Sequence, residues 1–311
     1  MRQKAVLALL GLVLAACEPG GGLGAGDANA DLAEACSRAS GAQRIDACTA
    51  MIDLPETSAF NRAGYLVFRG EEHRAMDDPT AALRDFDAAI RLDETHIRAY
   101  LGRGEILLES GQLDAARPMF ERIVQQDQSG RAALGLARIE WSHGEGAAAL
   151  THLQAALERD AGLAEAHALR ARIRKSGGDL EGARADFSAA IAANGALAAA
   201  RAGRCRLNLE ANQNLDQARD DGEAAVLADA RNVEAQICLG VLRLRAREPE
   251  AALSAFAAAL AVEPGNPEAL FGHGVARMRT GDRAGARDMN RARDFSSHVG
   301  QRFEQLGVGT W

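Results

Sequence analysis

The sequence predicts an all-α solenoid, and three observations predict it: a fixed period, a residue pattern inside that period, and turn chemistry at a constant offset. Starting from A-L-R-D-F-D-A-A-I-R-L-D at 82–93, the same pattern is found seven times at spacings of 33 to 35 residues. A period in that range marks stacked supersecondary units, none of which buries its apolar face alone.

With repeats starting at Ala63, Ile97, Gly130, Ala164, Ala199, Val233 and Pro267, position 20 is alanine in every copy, from Ala82 to Ala286. Position 24 is Phe86, Phe120, Leu153, Phe187, Gly222, Phe256 and Asn290. Position 8 is mostly small: Gly70, Gly104, Ala137, Ala171, Arg206, Gly240 and Gly274. Two antiparallel helices approach closely only where side chains are small, and one large apolar residue per repeat then fills the gap toward the next. Gly111, Gly144, Gly178 and Gly281 fall where a helix must end in a left-handed residue. Asp78 before Pro79, Asp114 before Ala115 and Asn266 before Pro267 supply capping side chains for the following helix. Each repeat is therefore expected to be helix–turn–helix. Arg206 and Gly222 make repeat 5 the expected loose joint, and Asn290 and Arg293 make repeat 7 degenerate.

The period, the small residue at 8, alanine at 20, phenylalanine at 24 and Pro264 at position 32 resemble the tetratricopeptide repeat over residues 63–294. The resemblance implies a right-handed α-solenoid that binds other proteins, and it leaves function open, because a fold hosts many functions.

The termini fall outside this frame. Arg2 and Lys4 precede a 12-residue apolar run, Ala5 to Ala16, which is too short to span a bilayer and suits a signal-peptide core. The run ends in Leu14-Ala15-Ala16-Cys17, which resembles a bacterial lipoprotein signal. That resemblance implies cleavage after residue 16 and acylation of Cys17; several acyl chains hold a protein durably on a membrane. Glu18 in the next position leans toward the outer membrane. Residues 17–30 are expected to form a glycine-rich tether reaching roughly 20 Å.

Residues 31–54 are expected to form an opening helical hairpin, with Cys36 and Cys48 flanking its turn and placed to pair in an oxidising compartment. Cys205 and Cys238 lie on neighbouring first helices, but disulfide geometry is demanding, and buried thiols are the expectation there. Val299, Phe303 and Leu306 recur at i, i+4 and i+7, so residues 295–308 are expected to cap the last apolar face, leaving a frayed end at 309–311.

Net charge is −7, and loss of Arg2 and Lys4 with the leader makes the chain more acidic still, which argues against nucleic acid as a partner. The seven histidines include no H-E-x-x-H and no zinc spacing with cysteine. There is no G-x-S-x-G and no phosphate-binding loop. The expectation is no enzyme, no metal and no cofactor.

Surface remains. In the tetratricopeptide family the concave groove is lined by first-helix positions 2, 5, 9, 12 and 13. Carried over, this implicates Arg98, Leu101, Glu105, Leu108, Leu134, Arg138, Trp141, Arg172 and Lys175 in repeats 2 to 4. In repeats 6 and 7 it implicates Ile237, Val241, Leu244, Arg245, Phe271, Val275, Met278 and Arg279. Apolar centres flanked by arginine suit an extended or helical peptide. Val67 and Glu71 stand where the family's carboxylate clamp for chaperone tails needs other residues. The sequence thus predicts a lipid-anchored, periplasm-facing scaffold or assembly adaptor with a protein or peptide partner. The competing expectation is a self-associating structural subunit whose groove is filled by a neighbouring copy or by its own tail.

Overall fold

The structure is a computed structural model that describes residues 25–126 and 129–309. The expected leader at 1–16 and the lipid-bearing Cys17 lie outside the described residues. Residues up to Gly102 form one compact unit and those from Arg103 a second. Every secondary element among the described residues is helical, and none of these helices is long and apolar enough to cross a membrane.

The N-terminal unit contains α1 (Ala25–Arg38), α2 (Gly41–Asp53), α3 (Ala59–Ala75) and α4 (Pro79–Leu92). Helix α1 begins inside the stretch expected to be a tether. Ala25, Ala28 and Ala30 favour helix strongly, and the element gains a packing face further on, where Leu32 and Cys36 meet α2 and α3. Cys36 and Cys48 are bonded, with Cα atoms 4.6 Å apart. Arg44 of α2 ties the hairpin to α3 by donating to the Cys36 carbonyl at 3.0 Å and to Glu72 at 3.2 Å. Helix α5 (Ile97–Glu109) runs across the division between the units.

The C-terminal unit continues as antiparallel pairs. These are α6 (Leu113–Gln126), α7 (Gly130–Ser142), α8 (Gly146–Arg159), α9 (Ala164–Ser176), α10 (Leu180–Ala193) and α11 (Ala198–Glu210). Then come α12 (Leu215–Ala228), α13 (Val233–Arg245), α14 (Pro249–Val262), α15 (Pro267–Arg279), α16 (Gly285–Phe295) and α17 (Val299–Gln305). The pairing makes an all-α solenoid of helix–turn–helix repeats.

The turn glycines 111, 144, 178 and 281 are left-handed, with φ of 76°, 82°, 84° and 90°. Repeats without them force Asp77, Asn212 and Arg247 into the same region, at φ of 62°, 51° and 62°. The caps act as expected at Asp78, which accepts from the Ala81 amide at 2.9 Å, and at Asn266, which accepts from Ala269 at 3.0 Å. Asp114 does not cap: α6 begins one residue earlier, at Leu113, and places Asp114 inside its first turn.

The phenylalanine at position 24 is the joint between repeats. Phe86, Phe120, Phe187 and Phe256 are buried to within 1% of full enclosure. Each ring lies in a slot whose walls are small residues, and a Cβ added at Gly70 or Gly102 would strike Phe86, as one at Gly240 or Gly272 would strike Phe256. A second device recurs within repeats: Arg69 grips Asp85 through two hydrogen bonds of 2.8 and 2.7 Å, Arg170 grips Asp186 at 2.9 and 2.7 Å, and Arg204 grips Asp221 at 2.7 and 2.8 Å. These charges are buried but paired and hydrogen-bonded, the form in which burial is tolerated.

Repeat 5 corrects the sequence frame. Its first helix starts at Ala198, and the extra residue sits in the turn 211–214, where Asn212 and Asn214 are both left-handed. Position 8 is therefore Cys205, and Arg206 moves to position 9. Cys205 and Cys238 do not remain thiols but form a disulfide across 6.4 Å between Cα atoms. The reason is steric. Cys205 and Cys238 occupy the two positions that wall the phenylalanine slot elsewhere, and the ring itself is absent because position 24 is Gly222. A Cβ on Gly222 would meet Leu239 at 2.8 Å and the Cys205 sulfur at 3.2 Å. The disulfide and Leu239 fill the slot, so the joint expected to be loose is covalently closed.

Repeat 7 also shifts by one. Gly285 and Met289 are buried where position 20 and position 24 belong, while Ala286 and Asn290 are exposed. A Cβ on Gly274 would strike the Gly285 carbonyl and Met289. Val299, Phe303 and Leu306 are all buried, in one core with Phe256 and Phe271. Gly309, expected to fray, is held: its carbonyl accepts from Arg279 at 2.9 Å, and Val308 is buried.

Candidate functional site

Four of the predicted groove residues, Leu108, Arg138, Trp141 and Arg172, line one cavity of about 650 Å³ in the C-terminal unit. Helices α5, α7 and α9 deliver them from positions 12, 9, 12 and 9, which face one way in successive first helices. Leu113, Leu169, Leu197 and the carboxylates Glu109 and Glu165 also line it. Trp141 is half-buried: it packs against the core of α7–α9 and also lines the cavity.

The charges here differ from those around them. Arg117, Arg170, Arg174, Arg184, Arg201 and Arg204 are all ion-paired. Among the described residues, neither the Arg138 nor the Arg172 guanidinium has a hydrogen-bonding or ionic partner. Two unpaired guanidiniums beside an indole and four leucines can receive a segment that carries apolar side chains and a carboxylate, since arginine binds carboxylates through its planar fork.

The other predicted residues are placed elsewhere. Arg98 forms a bidentate pair with Glu71 at 2.8 and 2.7 Å and lies 5.0 Å over the Phe68 ring, in the N-terminal unit with Leu101. Leu134 faces the core between α7 and α8 rather than the cavity, and it is 5% exposed. Lys175 is engaged by Glu210 at 2.9 Å, and Glu105 does not line the cavity. Leu113 and Leu197 escaped sequence reasoning because they come from helix junctions outside the first-helix rule; Glu165, at position 2 of repeat 4, was within its reach.

In repeats 6 and 7 the predicted groove is not open. Ile237, Val241, Leu244, Phe271 and Val275 are each no more than 4% exposed, packed in one core with Phe303, Leu306 and Val308. Arg302 of α17 reaches Glu210 at 3.0 Å and Glu268 at 2.9 Å. Those carboxylates also hold Arg206, which is 5% exposed and bonds Glu268 twice, at 2.6 and 2.8 Å. Burial would lower the Arg206 pKa, but the Glu268 and Glu210 carboxylates outweigh it and hold the guanidinium charged. For Glu210, burial pushes its pKa up, and hydrogen bonds from Arg206 and Lys175 bring it below the ordinary value.

No group of three or more metal-ligating side chains is found among the described residues. Sequence-family profiles described as "Tetratricopeptide repeat" match residues 73–131, 107–164, 134–199 and 239–297. No curated protein matches the chain in sequence. Among solved structures, the Cut9 and Hcn1 hetero-tetramer of the APC/C is similar at a TM-score of 0.66 and 16% identity, over 80% of this chain. This chain spans about half, 48%, of that relative's length. PilF of Pseudomonas aeruginosa is similar at 0.58 and 17% identity, over 68% of this chain and 97% of that one. A tetratricopeptide repeat protein of Parabacteroides merdae reaches 0.50 at 15% identity, over 79% of this chain and 98% of that one. At these identities the likeness concerns the fold alone.

Proposed function

We propose, from the premise that the chain belongs to the tetratricopeptide repeat family, that it is a non-catalytic interaction scaffold of the cell envelope. It binds a peptide segment of a partner protein in the cavity lined by Leu108, Arg138, Trp141 and Arg172. The observation that carries this reading is the pair of unpaired guanidiniums lining one cavity with a half-buried indole. The segment it suits places one or two apolar side chains against Trp141 and an aspartate, glutamate or terminal carboxylate against the arginines. The lipoprotein-like leader and two disulfides, both typical of oxidising compartments, support a mature chain tethered through Cys17 on the periplasmic side, at the outer membrane.

The test is selection of a random dodecapeptide phage library on residues 18–311, the mature chain without its lipidated Cys17. Selected peptides should combine apolar residues with a carboxylate. Their affinity should fall about 30-fold on Trp141→Ala, the scale of an interface hot spot, and by a similar factor on Arg138→Ala/Arg172→Ala. Peptides that bind equally to all three folded chains would remove this site. Anchoring is tested separately: wild type should incorporate labelled palmitate and Cys17→Ala should not.

A further inference from the structure

The groove positions of repeats 6 and 7 are used as ligand-binding positions by the chain itself. Phe303 sits against Phe271, from position 5, with ring centroids 5.0 Å apart. Position 13 supplies Arg279, which donates to the Gly309 carbonyl at 2.9 Å, and Arg245, whose guanidinium side lies against Gly307. Glu210 and Glu268 take Arg302. The bound segment is R-F-E-Q-L-G-V-G at 302–309, offering a cation, then apolar side chains one, four and six residues on.

This segment is seated as a ligand rather than built in as a repeat. Helix α17 has only seven residues, too few to be stable apart from its contacts. It follows a connection in which Ser297 and His298 are exposed, and the Arg302 side chain is 49% exposed while pairing with both carboxylates. Two open surface clefts of about 540 Å³ each border it, one lined by Glu210, Gln301 and Gln305, the other by Arg245, Arg279 and Gly307.

We propose that repeats 5 to 7 form a second peptide groove whose occupant, residues 299–309, is exchangeable, and that its occupant in trans is the same segment from a second copy of this chain. Exchange of an identical element between protomers is a low-cost route to assembly, because every contact made in cis is remade in trans. This site is separate from the Trp141 cavity and stands or falls without it.

Two measurements on the mature chain test it. In hydrogen exchange of the wild type, amides of 299–309 should exchange together, at least tenfold faster than those of α13 and α15, which reports opening of the segment alone. Protection equal to α13 and α15 would overturn the proposal, since the segment would then leave only when the repeats unfold. A fluorescein-labelled peptide of residues 296–311 should bind full-length Arg302→Glu, whose own segment is repelled by Glu210 and Glu268, at least tenfold more tightly than it binds wild type. The Phe303→Ala peptide should not bind. If folded Arg302→Glu binds no peptide, or binds a scrambled peptide equally well, the groove is not a specific site for this segment. If Arg302→Glu does not fold, the wild-type exchange result decides alone. Trp141→Ala should leave peptide binding unchanged.

Discussion

The Cys205–Cys238 disulfide should be worth more to this chain than a staple added to a finished core, because it stands where four other repeats place a phenylalanine. The bond closes a loop with a sequence separation of 33, for which chain entropy gives roughly 4 kcal/mol. Replacing both cysteines with alanine should remove that constraint and leave the slot beside Gly222 partly empty. In a repeat array the loss is felt locally, so hydrogen exchange should accelerate first in α11 to α14 while α7 to α10 stay protected. A sharper test uses a cycle. In the oxidised chain Gly222→Phe has no room, because Leu239 and the Cys205 sulfur already occupy the site, and it should cost about 1–3 kcal/mol. In a Cys205→Gly/Cys238→Gly background the same substitution meets the pair of glycines that walls Phe256, leaving only the Leu239 side chain to turn aside, and should stabilise. The coupling measured by urea denaturation should therefore be about 2 kcal/mol or more, with a change of sign. Equal effects of Gly222→Phe in both backgrounds would show that the sulfurs do not stand in for the ring.

Other expectations follow from individual contacts. Glu210 has a depressed pKa in the folded chain, so its contribution is present above the ordinary value of 4.5 and is lost as pH falls through the folded value. Protection of the 299–309 amides, taken relative to their intrinsic exchange rates, should fall as pH drops below the ordinary carboxylate value, and Glu210→Gln should flatten that fall; an unchanged acid profile would remove Glu210 as its source. Asp186 is 3% exposed and holds Arg170 and Arg174, so Asp186→Ala should cost about 1–3 kcal/mol in denaturant unfolding by leaving two half-buried guanidiniums without their shared carboxylate. Arg98→Ala, at an exposed pair, should cost under about 1 kcal/mol. Arg247 is left-handed at φ 62° where other repeats use glycine, so Arg247→Gly should stabilise by about 1 kcal/mol. Arg247→Ala should not, and a gain from alanine would assign the effect to charge instead.

The helices, their pairing, the left-handed turns at Gly111, Gly144, Gly178 and Gly281, and the burial of Phe86, Phe120, Phe187 and Phe256 were legible in the repeat pattern. Those features depend on neighbours within one 34-residue period, where spacing dictates which faces meet. The pattern also put Leu108, Arg138, Trp141 and Arg172 on one side, where they line one cavity, because successive first helices present the same positions to the same side. Tertiary structure decided the rest. Whether Cys205 stands at position 8 depends on where an extra residue is absorbed, and the turn 211–214 absorbs it after the helix rather than before. The Cys205–Cys238 bond depends on that register and on the missing ring at Gly222. The groove of repeats 6 and 7 had the expected apolar residues, yet its occupant was set by contacts such as Arg302 with Glu210, 92 residues apart. Periodicity fixes what each helix offers, but contacts between distant repeats depend on small rotations accumulated from one repeat to the next, and those are settled only when the joints are packed.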